Sequence, residues 1–410
     1  MTGWTARHSA ATPRRVNGFP RILPAVHVIG LMSGTSADGI DAAWVEWPDD
    51  ASARPFRLLA YEEVPLAPSL QGRIHTLAAG RVAGTDALAE LATLDVALGR
   101  AFAAAAKRVA AAAGQPLERA AAVASHGQTV AHHPERRATL QIGDPSVIAE
   151  ETGRTVVADF RTRDVAAGGE GAPLAPFFHH AVLTDAHEGR VVLNLGGIAN
   201  VTALAPAAEA DDVIAFDVGP ANALLDGVVS TATGGAERFD AGGARAAEGR
   251  IDEGLLARLL QDDFLRRSPP KSTGRERYGL AEAEALLEAA REAGRSLPDL
   301  VATLVAFTAE SVAWALRDHL GGFPVGRVLV GGGGVRNPAL MAALRARLEV
   351  PVEPVDAAGV PADAMEAMAF SLMGRNSLLG VPNHLPRTTG ARTRRVLGEL
   401  VPGASGRLRA

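Results

Sequence analysis

The sequence predicts an α/β protein of two related domains that close on a central cleft. Three observations carry that expectation. The chain has 410 residues, more than one ordinary core accommodates, so two domains are the default. An apolar run that enters a glycine-rich turn and leaves as a second apolar run occurs twice, at 30–41 and around 196–200, about half a chain apart. A third glycine turn, Gly331 to Gly334, joins an apolar strand to the start of a helix, where backbone N–H groups can gather an anion.

Composition narrows the class. With 47% hydrophobic and 21% charged residues, the chain reads as globular. A net charge of −5 gives no reason to expect nucleic acid or an anionic membrane surface as partner. Cysteine is absent, which excludes disulfides, thiolate metal sites and a cysteine nucleophile and fits a cytoplasmic location. Lys107 and Lys271 are the only lysines; Lys271, in a polar loop, reads as exposed or as a phosphate contact. Residues 1–25 have four arginines and no acid and read as a disordered extension, or alternatively as a basic docking tail. No run reaches the roughly 20 uncharged apolar residues of a membrane span.

Taken in order, Val26–Leu31 and Ile40–Trp47 flank the first turn as strands, and Phe56–Val64 reads as a third. Residues 86–113 repeat leucines at helical spacing up to Gly114. Ala120–Ala124 is a short strand ending in Ser125-His126-Gly127-Gln128-Thr129, the end of a strand where α/β folds place ligand contacts. Val156–Phe160 is another strand, opening a dense polar loop from Arg161 to Leu174. Val191–Leu195, the turn Gly196–Asn200 and Val201–Leu204 repeat the first device, and Ile214–Asp217 follows as a strand. Leu300–Leu320 and Asp363–Leu379 read as helices. The expected units are 26–188, then 189–395 with its last helix packing back, then a loosely ordered tail over 396–410.

Two hairpin turns plus a strand-to-helix turn is the arrangement of the actin-like, sugar-kinase and heat-shock ATPase superfamily. Gly30 through Asp41 resembles the G-L-M-S-G-T-S-x-D-G-x-D opening of the anhydro-N-acetylmuramic acid kinases. The resemblance continues through Ser125–Thr129, Gln141–Pro145, Asp159–Leu174, Asn194–Asn200, Phe216–Asn222, Pro269–Glu276, Gly331–Pro338, Asp363–Phe370 and Leu385–Ala391, and so covers nearly everything between about 26 and 395. It implies two actin-like, ribonuclease H-like ATPase domains with ATP and sugar in the cleft between them. It further implies a reaction in which water opens the 1,6-anhydro ring of 1,6-anhydro-N-acetylmuramic acid and O6 takes the γ-phosphoryl group of ATP. The family's general base, in R-x-x-D-V-A-A-G-G, falls on Asp164.

The same resemblance assigns the nucleotide to Gly34, Thr35, Ser36, Ala37, Asp38, Gly39, Ile40 and Asp41 on one side and to Gly196, Gly197, Asn200 and Asp217 on the other. Gly332, Gly333 and Asn337 fall to adenosine, and His126, Gln128, Asp159 and Gly169 to the sugar. Mg²⁺, which prefers few carboxylates plus phosphate oxygens, is expected at Asp38 through its waters. A homodimer is compatible with the resemblance. One departure is Ala306 in Thr303–Thr308, where the family's T-L-x-E-L-T segment has glutamate; either Glu310, one helical turn on, substitutes for it or the chain does without. The alternatives are a kinase for another anhydro sugar, such as levoglucosan, and a nucleotide-gated protein without catalysis.

Overall fold

The computed structural model describes residues 25–404 and 406; the extension expected before residue 25 lies outside them. Its first sheet contains β1 (Ala25–Ser33), β2 (Gly39–Pro48), β3 (Arg57–Pro65), β4 (Ala122–His133), β5 (Ala138–Ile142) and β6 (Thr155–Ala158). Its second contains β7 (Arg190–Leu195), β8 (Ile198–Leu204), β9 (Ile214–Pro220), β10 (Arg327–Gly331) and β11 (Val352–Pro354). A last strand, β12 (Glu399–Val401), joins the first sheet.

The two sheets are copies of one topology. β1, β2 and β3 form an antiparallel meander, and β4 and β6 continue the sheet parallel to β1. In the second, β7, β8 and β9 form the meander, and β10 and β11 continue parallel to β7. Each is an actin-like, ribonuclease H-like arrangement, and each first hairpin carries one of the glycine turns read from the sequence. The central strands bury Val28, Ile29 and Leu31, Val191–Leu193 and Leu195, and Val328–Val330, as expected where both faces of a sheet are covered.

The fold places one core between the sheets. Val28, Val45 and Val157 from the first share it with Val192, Leu204 and Leu329 from the second, together with the helices Ala175–Leu183 and Met365–Leu379. The second of these helices lies almost directly on β1. A Cβ on Gly30 would meet the Ala367 carbonyl oxygen at 1.9 Å, so only glycine permits the approach. Ser371 Oγ donates to the Val28 carbonyl at 2.8 Å and accepts the Trp47 indole N–H at 2.9 Å. Further Leu, Val and Phe side chains of the helix Leu297–Trp314 fill the core of the second sheet. Prolonged to His319, this helix is long and apolar enough to cross a membrane by length and composition, but it carries Asp299, Glu310, Arg317 and Asp318 and most of it is buried inside the protein.

Two segments depart from the sequence reading. Residues 396–404 are not a loose tail: Leu397 is fully buried, and β12 pairs with β6, because β6 would otherwise leave an unpaired edge. The start of the polar loop is a helix, Phe160–Ala166. Its R-x-x-D spacing sets Arg161 and Asp164 three residues apart on one helical face.

Candidate functional site

The turn between β1 and β2 is held from behind. Gln128 Nε2 donates to the Gly34 carbonyl at 3.1 Å, and Gln71 Nε2 to that of Ser36 at 2.9 Å. The single Ser33 hydroxyl hydrogen is shared between Gly39 O and Gln128 Oε1, at 2.9 and 2.8 Å. Ala37 takes φ +50°, a conformation L residues adopt only when the surroundings impose it. In the second sheet, the backbone N–H groups of Asn222 and Ala223, opening the helix Asn222–Ala232, donate to the carbonyls of Gly196 and Gly197 at 3.1 and 3.0 Å. Gly332, with φ +78°, lies against this turn; a Cβ there would meet Asn194 Oδ1 at 2.4 Å.

These three turns line one cleft of about 610 Å³, a volume suited to a nucleotide-sized ligand. Gly34, Ser36, Asp38, Gly39 and Asp41 form one wall, and Gly196, Gly197, Gly332 and Gly333 the other. Leu280, exposed though apolar, lies with Gly279 and Arg336 among the remaining lining residues. Six carboxylates also face the cleft: Asp38, Asp41, Glu63, Asp226, Asp363 and Glu366.

That charge pattern perturbs the acids. Burial pushes Asp41 up to about 6 against a 2.5 Å hydrogen bond from Tyr61 Oη, with Glu366, Glu63 and Asp38 adding to the rise. Burial also raises Glu366, and the Arg161 guanidinium opposes that shift. A carboxylate whose folded value is raised contributes stability below its unfolded value, near 4, and loses it as pH rises through about 6. The difference in Tm between Asp41→Asn and the parent should therefore move in the variant's favour between pH 4.5 and 7.5. A constant difference across that range, read by calorimetry, contradicts the burial account.

Asp164 is fully buried. Its Oδ1 accepts from His384 Nδ1 at 2.6 Å and from Thr389 Oγ1 at 2.8 Å, and its Oδ2 from the Gly171 N–H at 2.8 Å. Neither Arg161 nor Arg163 bonds to it. Arg161 instead donates to His126 Nε2 and to the Gly171 carbonyl at 2.8 and 2.7 Å.

Several expected contacts are placed differently. The side chains of Ala37 and Ile40 point into the core, which leaves only their backbone to a ligand. Thr35 is exposed on the turn, outside the cleft lining. Asn337 spends its side chain capping the helix Pro338–Arg347, accepting from Leu340 N at 3.1 Å. Gln128 has its amide committed to Ser33, Gly34 and Thr129. His126 is buried and neutral, its Nδ1 on the Gly127 carbonyl and its Nε2 on Arg161. Both side chains are held by hydrogen bonds within the protein. Gly169 packs on the base: a Cβ there would lie 2.2 Å from Asp164 Oδ2. Asp159 has φ +54° and makes no side-chain cap bond, which leaves its half-buried carboxylate available.

Asn200 and Asp217 line a separate cavity of about 130 Å³, with Glu170, Lys271 and Thr388. Burial raises Asp217 to about 6 despite a hydrogen bond from Thr273 N. Lys271 is neither exposed nor on the nucleotide wall: its Nζ donates to the carbonyls of Phe264 and Leu265 and sits over the Phe264 ring at 4.7 Å. Ala306 lies in the core of the second sheet, and Glu310 pairs with Arg347 at 2.6 Å; neither bonds to Asp164. The sequence reading missed Glu366, Tyr61, Glu63 and Leu280. Glu366 had a signal, since it falls inside the matched segment Asp363–Phe370.

The model of a family described as anhydro-N-acetylmuramic acid kinase matches residues 26–403. A protein of that name from Xanthomonas campestris pv. campestris is 49% identical over 377 residues, covering 91% of this chain and 97% of its own length. One from Gloeobacter violaceus is 45% identical over 382 residues, covering 91% and 98%, and one from Streptomyces coelicolor 44% over 384, covering 92% and 94%. With the duplicated sheets and the matched turns, this similarity over nearly the full length leads to one conclusion: the chain belongs to the anhydro-N-acetylmuramic acid kinase family.

Proposed function

We propose that this chain is an ATP-dependent kinase that opens the 1,6-anhydro ring of 1,6-anhydro-N-acetylmuramic acid with water and phosphorylates the released O6. The products are N-acetylmuramic acid 6-phosphate and ADP. The reading is carried by the two hairpin turns of the duplicated sheets, which line a single cleft, in a chain of this family. It makes the free sugar and ATP the partners, and a cytoplasmic location goes with it.

On this reading the glycine turns hold the phosphates through backbone N–H groups, which need no Cβ in the way. Leu280 offers an apolar contact to the base. An acid-rich wall facing a triphosphate needs a counter-charge, and the oxygen donors of Asp38 and Asp41 suit a hard cation. Bound Mg²⁺, reached by Asp38 or Asp41 through its waters, would supply that counter-charge to the phosphoryl group. Asp164 takes a proton from water as the water oxygen bonds to carbon 1. The C1–O6 electron pair then stays on O6, which attacks the γ-phosphorus. Asp159, half-buried and making no side-chain cap bond, would orient sugar hydroxyls on this reading.

Because Asp164 is covered by the 169–171 segment, water meets it only after that segment and the cleft rearrange. Closure also protects the γ-phosphoryl group from transfer to water. Small-angle scattering is expected to give a smaller radius of gyration with a non-hydrolysable nucleotide and sugar than without ligand; an unchanged radius at saturation contradicts closure. The function itself is tested by incubating the protein with ATP, Mg²⁺ and either 1,6-anhydro-N-acetylmuramic acid or levoglucosan. Mass spectrometry should find the water-added 6-phosphate from the first, and phosphorylation of levoglucosan alone overturns the assignment.

A further inference from the structure

His384 lies between the helix Met365–Leu379 and the short helix Pro386–Thr389, 220 residues from Asp164 in sequence. Both side chains are 0% exposed. The histidine Nδ1 is 2.6 Å from Asp164 Oδ1, and its Nε2 is 2.8 Å from the backbone nitrogen of Arg395. A backbone N–H only donates, so Nε2 is the acceptor nitrogen. In the neutral ring the single hydrogen therefore sits on Nδ1 and is donated to Asp164, a tautomer assigned from the network of partners.

The count of lone pairs on Asp164 follows. A carboxylate oxygen accepts about two hydrogen bonds. Oδ1 has both, from His384 and Thr389. Oδ2 has one, from the Gly171 N–H, and keeps one acceptor position. The ring cannot carry a proton onward from Asp164, because Nδ1 already holds hydrogen and Nε2 is occupied by the Arg395 N–H.

We propose that His384 is a positioning residue for the base. Locked in one tautomer, it fills Oδ1, stops the carboxylate from rotating, and leaves Oδ2 as the atom that takes the proton of the attacking water. The water O–H bond breaks, the Oδ2–H bond forms, and the water oxygen bonds to carbon 1. This rests on Asp164 being the base.

Two substitutions separate this role from a purely structural one. His384→Asn places an amide N–H where Nδ1 stood, keeping a donor to Asp164 and losing the bond to Arg395. His384→Gln places its amide oxygen where Nε2 stood, keeping the Arg395 bond and losing the donor to Asp164. Turnover of 1,6-anhydro-N-acetylmuramic acid by H384Q should fall about 10- to 100-fold, the ratio for losing one hydrogen bond to a charged group, at unchanged KM for ATP. H384N should retain most of the parent kcat. The reverse ranking, or equal losses in both with a raised KM for ATP, assigns His384 to holding the loop and overturns the proposal. In an Asp164→Asn background, H384Q should cost nothing further. An Asp164→Asn variant with near-parent turnover removes the base reading itself; a dead Asp164→Asn with the reverse ranking removes only the positioning role.

Discussion

Asp164→Asn is expected to lower kcat by about 10²–10⁴-fold, the span for removing a general base, with little change in KM for ATP. The nucleotide turns are other segments of the chain, and Asp164 touches none of them. The geometry adds a consequence for stability. All three partners of the carboxylate donate: His384 Nδ1–H, Thr389 Oγ1–H and Gly171 N–H. An asparagine has one accepting oxygen, so whichever way the amide turns, at least one buried donor faces its NH₂. That mismatch should cost about 1–3 kcal/mol of folding stability, read as a lower Tm. Turnover is therefore compared at a temperature where both proteins are folded. A variant with near-parent kcat moves the base elsewhere, with Asp159 next in line.

Gly169→Ala should have the second-largest effect, although it removes no functional group. The added Cβ would lie 2.2 Å from Asp164 Oδ2 and 2.8 Å from its Cγ, well inside contact distance. The carboxylate or the 168–171 segment has to shift, and a misplacement of about 1 Å at a reacting group costs about 10²-fold in rate. kcat should fall by that order while nucleotide binding, measured by titration calorimetry, stays near the parent value. An unimpaired kcat would show that the segment moves away freely and that its packing on Asp164 does not matter to turnover.

The parts of this site that were legible in the sequence are those whose physics is local. The turn at 30–41 needs glycine where backbone and ligand meet, and a strand on each side supplies the apolar runs; both marks lie within a dozen residues. The same applies to 196–200, and the repeat of the device at half-chain distance foretold the duplicated sheets. The caps also fall into this class: Asn337 before Pro338 is a helix start by residue type, and this outweighs its reading as a nucleotide contact.

What was not legible depends on contacts that only the fold creates. His384 and Asp164 meet across 220 residues. No periodicity joins them. Gln128 looks like a ligand contact because it is polar at a strand end, but β4 lies beside β1 and turns the amide onto the back of the first turn. Lys271 looks exposed in a loop of Pro, Ser, Thr and Gly, yet its alkyl chain and ammonium are enclosed by Phe216, Phe264 and Trp314. Burial lowers it to about 8 in spite of Asp217. Residues 399–401 are ordered for a similar reason, since the free edge of β6 accepts them.

The claim that water opens the ring and that O6 then attacks phosphorus is tested most directly by carrying out the reaction in ¹⁸O-labelled water. The product sugar phosphate is then fragmented in a mass spectrometer. One label on the carbon-1 hydroxyl, with none in the phosphoryl group, is the predicted result, because O6 is an oxygen the sugar already owns. Label in the phosphoryl oxygens of the sugar phosphate, or a phosphorylated sugar that carries no label at carbon 1, contradicts it.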